Sequence, residues 1–144
     1  MKWFWNATWS IAWALWLGGV AAIMILVQRL FHFDRTVALA AAPQMFLVFE
    51  KYEVVLAIIA AVTLLMGEHR KRIAPVALTA FGVLNAIVSA FVITPRIEFL
   101  RKAGLTDSTR FRALHGTSMT LYLVQMICLL LIGVLLSRPS RTAV

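Results

Sequence analysis

Charged residues and cysteine are scarce in this chain. Only 14% of its 144 residues are charged and 62% are hydrophobic, whereas apolar residues make up about 45–50% of a typical soluble domain. This composition excludes an ordinary soluble globular domain. The single cysteine, Cys128, has no partner for a disulfide within the chain. The sequence also lacks CxxC, CxxCH and HxxxH patterns, a nucleotide-binding loop and a nucleophile elbow, so no motif names a reaction.

Long hydrophobic runs fill most of the chain instead. A hydrocarbon core of about 30 Å needs roughly 20 apolar helical residues. The runs predict four spans, at residues 4–31, 45–67, 73–100 and 109–136. Lipid cannot satisfy backbone polar groups, and the runs do not alternate as barrel strands would. The sequence therefore predicts an all-α fold: a single four-helix transmembrane domain over residues 1–144, built as two antiparallel hairpins.

Turn chemistry predicts the connection between the last two spans. Helical spacing continues through "RIEFLRKAG" to Gly104, a suitable C-terminal cap, and "TDS" before residue 109 supplies N-cap side chains. Pro95 falls inside the third helix, where it is expected to bend the helix and free a carbonyl. The connection "FHFDRTVALAAAP" is interpreted either as a loop or as a short interfacial helix.

The formal net charge of +8 arises from basic residues at the ends of the runs. This placement favours anionic lipid headgroups over nucleic acid as the partner. An alternating helix order puts six basic residues on one membrane face and eight on the other. The excess favours a cytoplasmic location for the second face, but a difference of two leaves the orientation open. The six are Lys2, Arg70, Lys71, Arg72, Arg138 and Arg141; the eight are Arg29, Arg35, Lys51, Arg96, Arg101, Lys102, Arg110 and Arg112.

Helix four carries a polar stripe at spacings of three, four and three. It consists of His115, Ser118, Tyr122 and Gln125. Polar groups are costly against lipid, so the stripe should face inward and form hydrogen bonds across the bundle. Asn85 and Ser89 on helix three are its expected partners. The stripe either joins helices or lines a cavity for a ligand or an ion.

A second polar cluster is predicted at one mouth of the bundle. Glu50 and Glu53 lie one helical turn apart, and an unpaired carboxylate there would be expensive, so pairing with Arg96 or Arg112 is expected. If that pair forms, Glu53→Gln should lower stability. The cluster is either a salt-bridge network or a site that relays protons or holds an anion. Its full membership is Arg29, His32, Glu50, Glu53, Arg96, Arg112 and His115.

Histidine placement bears on metal or haem binding. His69 belongs to the opposite face, which leaves His32 and His115 as the candidate ligands. Two ligands from the ends of different helices are a weak basis for a cofactor, and the absence of any cofactor is the favoured interpretation.

Tryptophan and small residues mark surfaces on helix one. Trp9, Trp13 and Trp16 share one face, which is interpreted as a packing surface, against a partner subunit or lipid. Gly18 and Ala22 form a small-xxx-small pair that allows close helix approach.

The motifs around helices three and four resemble a known family. "TPRIEFLR", then "FRALHGTSMTLYL", together with "WALWLGGVAA" and "VQRLF", are similar to the transmembrane protein 205 family and its bacterial counterparts. The matching positions are Pro95, Arg96, Phe111, Arg112, His115, Gly116 and Ser118. The resemblance implies a four-helix membrane protein without an assigned chemistry. We expect a bacterial inner-membrane protein.

Three functions remain open from the sequence. The first is a non-enzymatic membrane protein that handles a small ligand or ion or acts as a scaffold; transport by so small a chain would require a homo-oligomer. The second is an accessory subunit of a larger membrane complex, docking through the tryptophan face or the Gly18/Ala22 face. The third is a haem- or metal-binding redox protein that uses His115.

Overall fold

The chain forms a bundle of long helices. A computed structural model describes residues 2–67 and 72–137, all helical apart from short turns. The helices are α1 (Lys2–Phe33), α2 (Arg35–Met66), α3 (Ile73–Val88), α4 (Thr94–Lys102) and α5 (Thr109–Ser137), with a π-helical segment, Ser89–Ile93, joining α3 to α4. The predicted all-α fold is confirmed. The predicted turn "GEHRKR" lies largely outside the described residues, as do His69, Arg138 and Arg141.

Three helical stretches are long and apolar enough to cross a membrane. They are Trp3–Phe33, Ile73–Lys102 and Thr109–Ser137. The second includes α3, the π segment and α4. A membrane protein is therefore supported by three of the four predicted spans. Helix α2 is equally long, but Glu50, Lys51 and Glu53 interrupt its apolar sequence.

Helix α2 begins ten residues earlier than the sequence analysis placed its span. Asp34 alone separates α1 from α2, and its carboxylate accepts hydrogen bonds from the backbone N–H groups of Thr36 and Val37 at 2.7 and 3.1 Å. The expected loop or separate interfacial helix was wrong. An Asp N-cap followed by an alanine-rich sequence starts the helix at once, and Pro43 lies inside it without ending it.

The turn between α4 and α5 confirms the predicted capping. Gly104 adopts a φ of 71°, and its N–H donates to the Arg101 carbonyl while the Leu105 N–H donates to the Leu100 carbonyl at 2.9 Å. This is the Schellman arrangement, which needs a left-handed residue that glycine supplies without strain. On the other side, Ser108 Oγ accepts from the Phe111 N–H at 3.1 Å.

The π segment lies immediately before Pro95. The Thr94 N–H donates to the carbonyl of Ser89, five residues earlier. Proline has no N–H to donate to the preceding turn, and π-helical turns are one way in which a helix absorbs such a break. The expected local disturbance at Pro95 thus takes the form of one wide turn inside a continuous helical stretch.

The helices close into a bundle in which α1 packs along α2, α2 against α3, α3 against α5 and α5 against α1. The largest fully buried side chain is Trp16, surrounded by a cluster of buried apolar side chains. Gly133 and Gly19 allow close approach: a Cβ on Gly133 would lie 2.5 Å from a ring atom of Trp13, and one on Gly19 would lie 3.0 Å from Phe49.

The two surfaces of α1 that were predicted to dock on a partner differ in the structure: one is buried and the other is exposed. Trp9 and Trp16 are buried within the bundle and Trp13 is half-buried, so the tryptophan face packs inside this chain and is not free to dock. By contrast, a Cβ added at Gly18 would meet no atom within 4 Å, and Ala22 is exposed. The Gly18/Ala22 face therefore points outward.

Candidate functional site

The carboxyl group of Glu50 accepts hydrogen bonds from hydroxyl groups at the π segment and α4 and from one on α5. Thr94 Oγ1 donates to Glu50 Oε1 at 2.5 Å. Ser89 Oγ and the Tyr122 hydroxyl donate to the same oxygen at 3.2 Å each. Glu50 is only 3% exposed. Three hydroxyl donors on one buried carboxyl oxygen form the densest polar contact in the described bundle, which we call the Glu50 site.

The π segment explains why two of these hydroxyls reach one oxygen. Ser89 and Thr94 lie five residues apart, and at 3.6 residues per turn that spacing would put them about 140° apart around a regular α-helix. In the π segment the backbone bond from Thr94 returns to Ser89, so the two side chains lie one above the other. The wide turn thereby aims both at Glu50. π-Helical turns occur frequently at functional sites.

Glu53 lies one turn further along α2 and has a different partner. The indole Nε1–H of Trp16 donates to Glu53 Oε1 at 2.9 Å, and Glu53 is 2% exposed. The site therefore has two buried carboxyl groups on one face of α2. Aromatic rings surround it on α2 and α5, where the Tyr122 ring lies 5.4 Å from Phe46 and 6.1 Å from Phe49 between centroids.

The predicted pairing of these glutamates with Arg96 or Arg112 was wrong. Within residues 2–67 and 72–137 the one ion pair joins Arg101 to Glu98, and Arg96 and Arg112 are both exposed. Arginine side chains at the end of a membrane span extend toward the headgroups, where their charge stays hydrated. Neutral hydroxyl and indole donors take their place at the two carboxyl groups.

The polar stripe on α5 faces inward over most of its length. Ser118, Tyr122 and Gln125 are buried. His115 is exposed, and its ring stacks on Phe111 with 6.0 Å between centroids. The first member of the predicted stripe thus lies at the surface, outside the buried site, while Tyr122 belongs to it.

The two predicted helix-three partners split between separate contacts. Asn85 Nδ2 donates to Gln125 Oε1 at 2.7 Å and to the Leu121 carbonyl at 3.0 Å, whereas Ser89 joins the Glu50 site. Gln125 is completely buried. This amide pair joins α3 to α5, and a hydrogen bond between buried amides is the expected means of association in an apolar bundle.

The remaining candidate residues do not gather into a metal centre. Arg29, His32 and His115 are all exposed. No three His, Cys, Asp or Glu side chains of the described residues lie close enough to hold a metal ion together. The oxygen atoms of Glu50, Ser89, Thr94 and Tyr122 do converge, and this group contains no nitrogen or sulfur ligand.

A cavity reaches the Glu50 site from the bundle surface between α2 and the π segment. Its volume is about 290 Å³, and its lining consists of Leu47, Glu50, Lys51, Val54, Ala90 and Phe91. The three hydroxyl bonds all end on Oε1 of Glu50. Glu50 is thus one of the residues on the wall of a cavity that opens at the bundle surface.

Sequence analysis missed Thr94 in the Glu50 site and the hydrogen bond of Trp16 to Glu53. Thr94 is five residues from Ser89, a spacing that ordinary helical periodicity assigns to a different face. Trp16 was interpreted as packing surface, although a buried indole N–H usually has a hydrogen-bond partner. That general expectation was the one signal for a polar contact at Trp16.

Comparison with protein-family models, with curated proteins and with solved structures finds no match to this chain. The resemblance to the transmembrane protein 205 family stays a prediction.

Proposed function

We propose that this chain is a non-enzymatic integral membrane protein that binds and releases a proton at the carboxyl group of Glu50. One observation carries the proposal. Glu50 is buried in an apolar helical bundle with three hydroxyl donors on one oxygen, and the described residues supply no ion pair to it. A carboxyl group in an intramembrane position is expensive to keep charged and usually has a function.

A proton fits this arrangement better than a metal cation does. The hydroxyl oxygens lie 2.5–3.2 Å from Glu50 Oε1, which is the distance of direct hydrogen bonds. A cation at this oxygen would have to compete with three hydroxyl donors. The titratable neighbours are Glu53, Glu98, Tyr122 and, at the cavity, Lys51. Proton exchange with the surroundings would use the cavity between α2 and the π segment.

The proposal includes a fourth membrane span formed by α2. Helix α2 has 32 residues, about 48 Å at 1.5 Å per residue, and so exceeds the roughly 30 Å hydrocarbon core. It runs back along α1 after a turn of one residue. The pair of carboxyl groups then lies within the membrane, where hydroxyl and indole donors from neighbouring helices solvate them.

Location and assembly belong to the same proposal. The resemblance to bacterial four-helix proteins supports an inner membrane location. Self-association is supported by the outward Gly18/Ala22 face and by the small volume that one chain encloses. Docking of that face on a foreign subunit is the competing arrangement, and mass measurement of the intact particle in mild detergent distinguishes the two.

A carbodiimide test addresses the Glu50 site directly. Dicyclohexylcarbodiimide is apolar and reacts with protonated carboxyl groups, so we expect it to modify Glu50 in the protein reconstituted in liposomes. Peptide mass spectrometry would locate the adduct. Modification should decrease as pH rises, since the carboxylate does not react, and should not respond to Na⁺ or K⁺. Glu53→Gln is the matched control, because it removes the neighbouring carboxyl group and leaves Glu50 in place.

Other outcomes of that test assign other functions. Protection of Glu50 by Na⁺ would replace the proton with a small monovalent cation. An unreactive Glu50 at every pH would reject the proposal and leave the scaffold function. If Glu50 reacts, dissipation of a pH gradient across the same liposomes decides whether the proton crosses the membrane, and Glu50→Gln should then abolish the flux.

A further inference from the structure

A second cavity lies on the outer surface of the π segment, α4 and α5, and shares one lining residue, Phe91, with the cavity at Glu50. Its volume is about 370 Å³. We call it the arginine groove; it is lined by Phe91, Val92, Pro95, Arg96, Phe99, Leu100 and Arg110. It combines apolar side chains with two guanidinium groups, and the proposed proton chemistry uses none of its charged residues.

Both arginines of the groove are accessible to a ligand. Arg96 and Arg110 are exposed, and neither belongs to the single ion pair found in the described residues, which joins Arg101 to Glu98. Asp107, three residues before Arg110, is also exposed and forms no ion pair with it. Two guanidinium groups on one groove, without an acidic partner, are complementary to an anion.

The apolar part of the groove indicates what kind of anion would bind there. Phe91 is 68% and Phe99 71% exposed, and both lie on a stretch, Ile73–Lys102, that is long and apolar enough to cross a membrane. Arg96 lies between them in the sequence, about two turns from the end of that stretch. A ligand that covers the phenylalanines while its charge meets the arginines must itself be amphiphilic.

We propose that the arginine groove binds one anionic glycerophospholipid, with its headgroup phosphate on Arg96 and Arg110 and an acyl chain along Phe91 and Phe99. Guanidinium groups bind phosphate through paired hydrogen bonds, and basic pockets between helices at the membrane surface bind anionic headgroups. Because the groove does not include Glu50, this lipid site does not depend on the proposed proton function.

Native mass spectrometry of the intact protein in mild detergent tests the assignment. The probes are phosphatidylglycerol and phosphatidylcholine with the same acyl chains. We expect phosphatidylglycerol to bind at least about tenfold more tightly, since its net charge is negative and each arginine near the headgroup favours an anionic lipid. Equal binding of the two lipids to the unmodified protein would be enough to overturn the proposal.

Variants locate the binding on the protein. The double variant Arg96→Gln/Arg110→Gln should lose the preference for phosphatidylglycerol, whereas Arg29→Gln/Arg35→Gln removes two exposed basic residues outside the groove and should keep it. An equal loss in both variants would mean a diffuse surface charge effect and reject the groove. If the groove variant does not fold, Phe99→Ala replaces it, with a several-fold loss expected from the missing contact with the acyl chain.

A last control experiment distinguishes binding of a lipid from binding of a free phosphate group. Glycerol phosphate carries the same charged group without acyl chains. It should neither add mass to the protein nor displace phosphatidylglycerol at equal concentration. Displacement at equal concentration would show that the groove recognises phosphate alone and would overturn the lipid assignment.

Discussion

Ser89 and Thr94, five residues apart, both donate hydrogen bonds to Glu50 Oε1, at 3.2 and 2.5 Å. The π-helical turn between them makes this possible, and the shared acceptor belongs to a different helix. A local change in helical geometry thus decides which polar groups solvate the buried carboxyl group. It also links α2 to the continuous stretch formed by α3 and α4.

Thr94→Val should destabilise the protein. Valine has the same shape but no hydroxyl, so Glu50 loses its shortest hydrogen bond, a change of roughly 1.5–3 kcal/mol for a bond to a charged group and about 1 kcal/mol for a neutral one. Thr94→Ser is the matched control because it keeps the donor. Thermal unfolding in mild detergent measures both. Equal stability of the valine and serine variants would mean that this hydrogen bond contributes nothing.

Deleting Val92 should leave every later side chain on the same face of the helix as before. The π segment contains one residue more than a regular turn needs, so its removal restores α-helical spacing and leaves Ser89 and Thr94 on one face. Deleting Ile87 from the regular part of α3 instead rotates all later residues by about 100°. The two side chains are similarly exposed, at 38% and 39%, which makes the deletions a matched pair.

The expected result is a folded, monodisperse protein for the Val92 deletion and aggregation for the Ile87 deletion, measured by size-exclusion chromatography. Pro95 would then lie in a regular turn and strain it by about 3 kcal/mol. Adding Pro95→Ala should therefore raise the unfolding temperature of the Val92 deletion. Similar yields for the two deletions would contradict the structural role of the π segment.

Glu53→Gln should change stability by less than about 1 kcal/mol. The amide oxygen of glutamine can accept the hydrogen bond that the Trp16 indole now gives to Glu53, and no ion pair is lost. Glu53→Leu leaves the indole N–H buried without an acceptor, which is expected to cost about 1–3 kcal/mol. Chemical or thermal unfolding compares the two. A large loss of stability in the Glu53→Gln variant would instead support the ion pair that was expected from the sequence.

Hydropathy and capping chemistry were sufficient to predict most of the fold. The all-α architecture follows from the apolar runs, and the α4–α5 turn follows from Gly104 and Ser108, whose backbone roles are local. The start of α2 was missed for a local reason as well. The segment "FHFDRTVALAAAP" was interpreted as a loop or a short interfacial helix, but Asp34 caps α2 and Pro43 lies inside the helix without ending it.

The partners of Glu50 and Glu53 could not be predicted in the same way. Their burial on one face of α2 follows from sequence spacing, and the cost of a buried carboxyl group was anticipated. Which side chains reach the two glutamates depends on the angular positions of Thr94 and Arg96 around the helix axis after the π segment. Hydrophobic periodicity gives no signal for the extra residue in that turn. The arginines also gain more from hydration at the surface than from burial.

The amide pair of Asn85 and Gln125 should show energetic coupling. Each single change to leucine leaves a buried amide without its partner, which is expected to cost about 1–3 kcal/mol. The double variant Asn85→Leu/Gln125→Leu removes both amides together and should lose less than the sum, by about 1 kcal/mol, the size measured for hydrogen bonds between membrane helices. Unfolding of the four proteins gives the coupling, and strict additivity would exclude it.

Gly133→Ala should destabilise the bundle, because the added methyl group would lie 2.5 Å from Trp13 Cζ2. Trp13 cannot withdraw freely, since its indole Nε1–H donates to the Leu129 carbonyl at 2.8 Å. Overpacking of this kind costs about 1–3 kcal/mol.

Gly116→Ala on the same helix is the control for that substitution. A Cβ there meets no atom within 4 Å, and alanine in a helix is more favourable than glycine by about 0.5–1 kcal/mol. The two changes should therefore shift the unfolding temperature in opposite directions. A neutral Gly133→Ala would mean that α1 can move away from α5 at Trp13 without loss, and the close packing of these helices would then contribute little to stability.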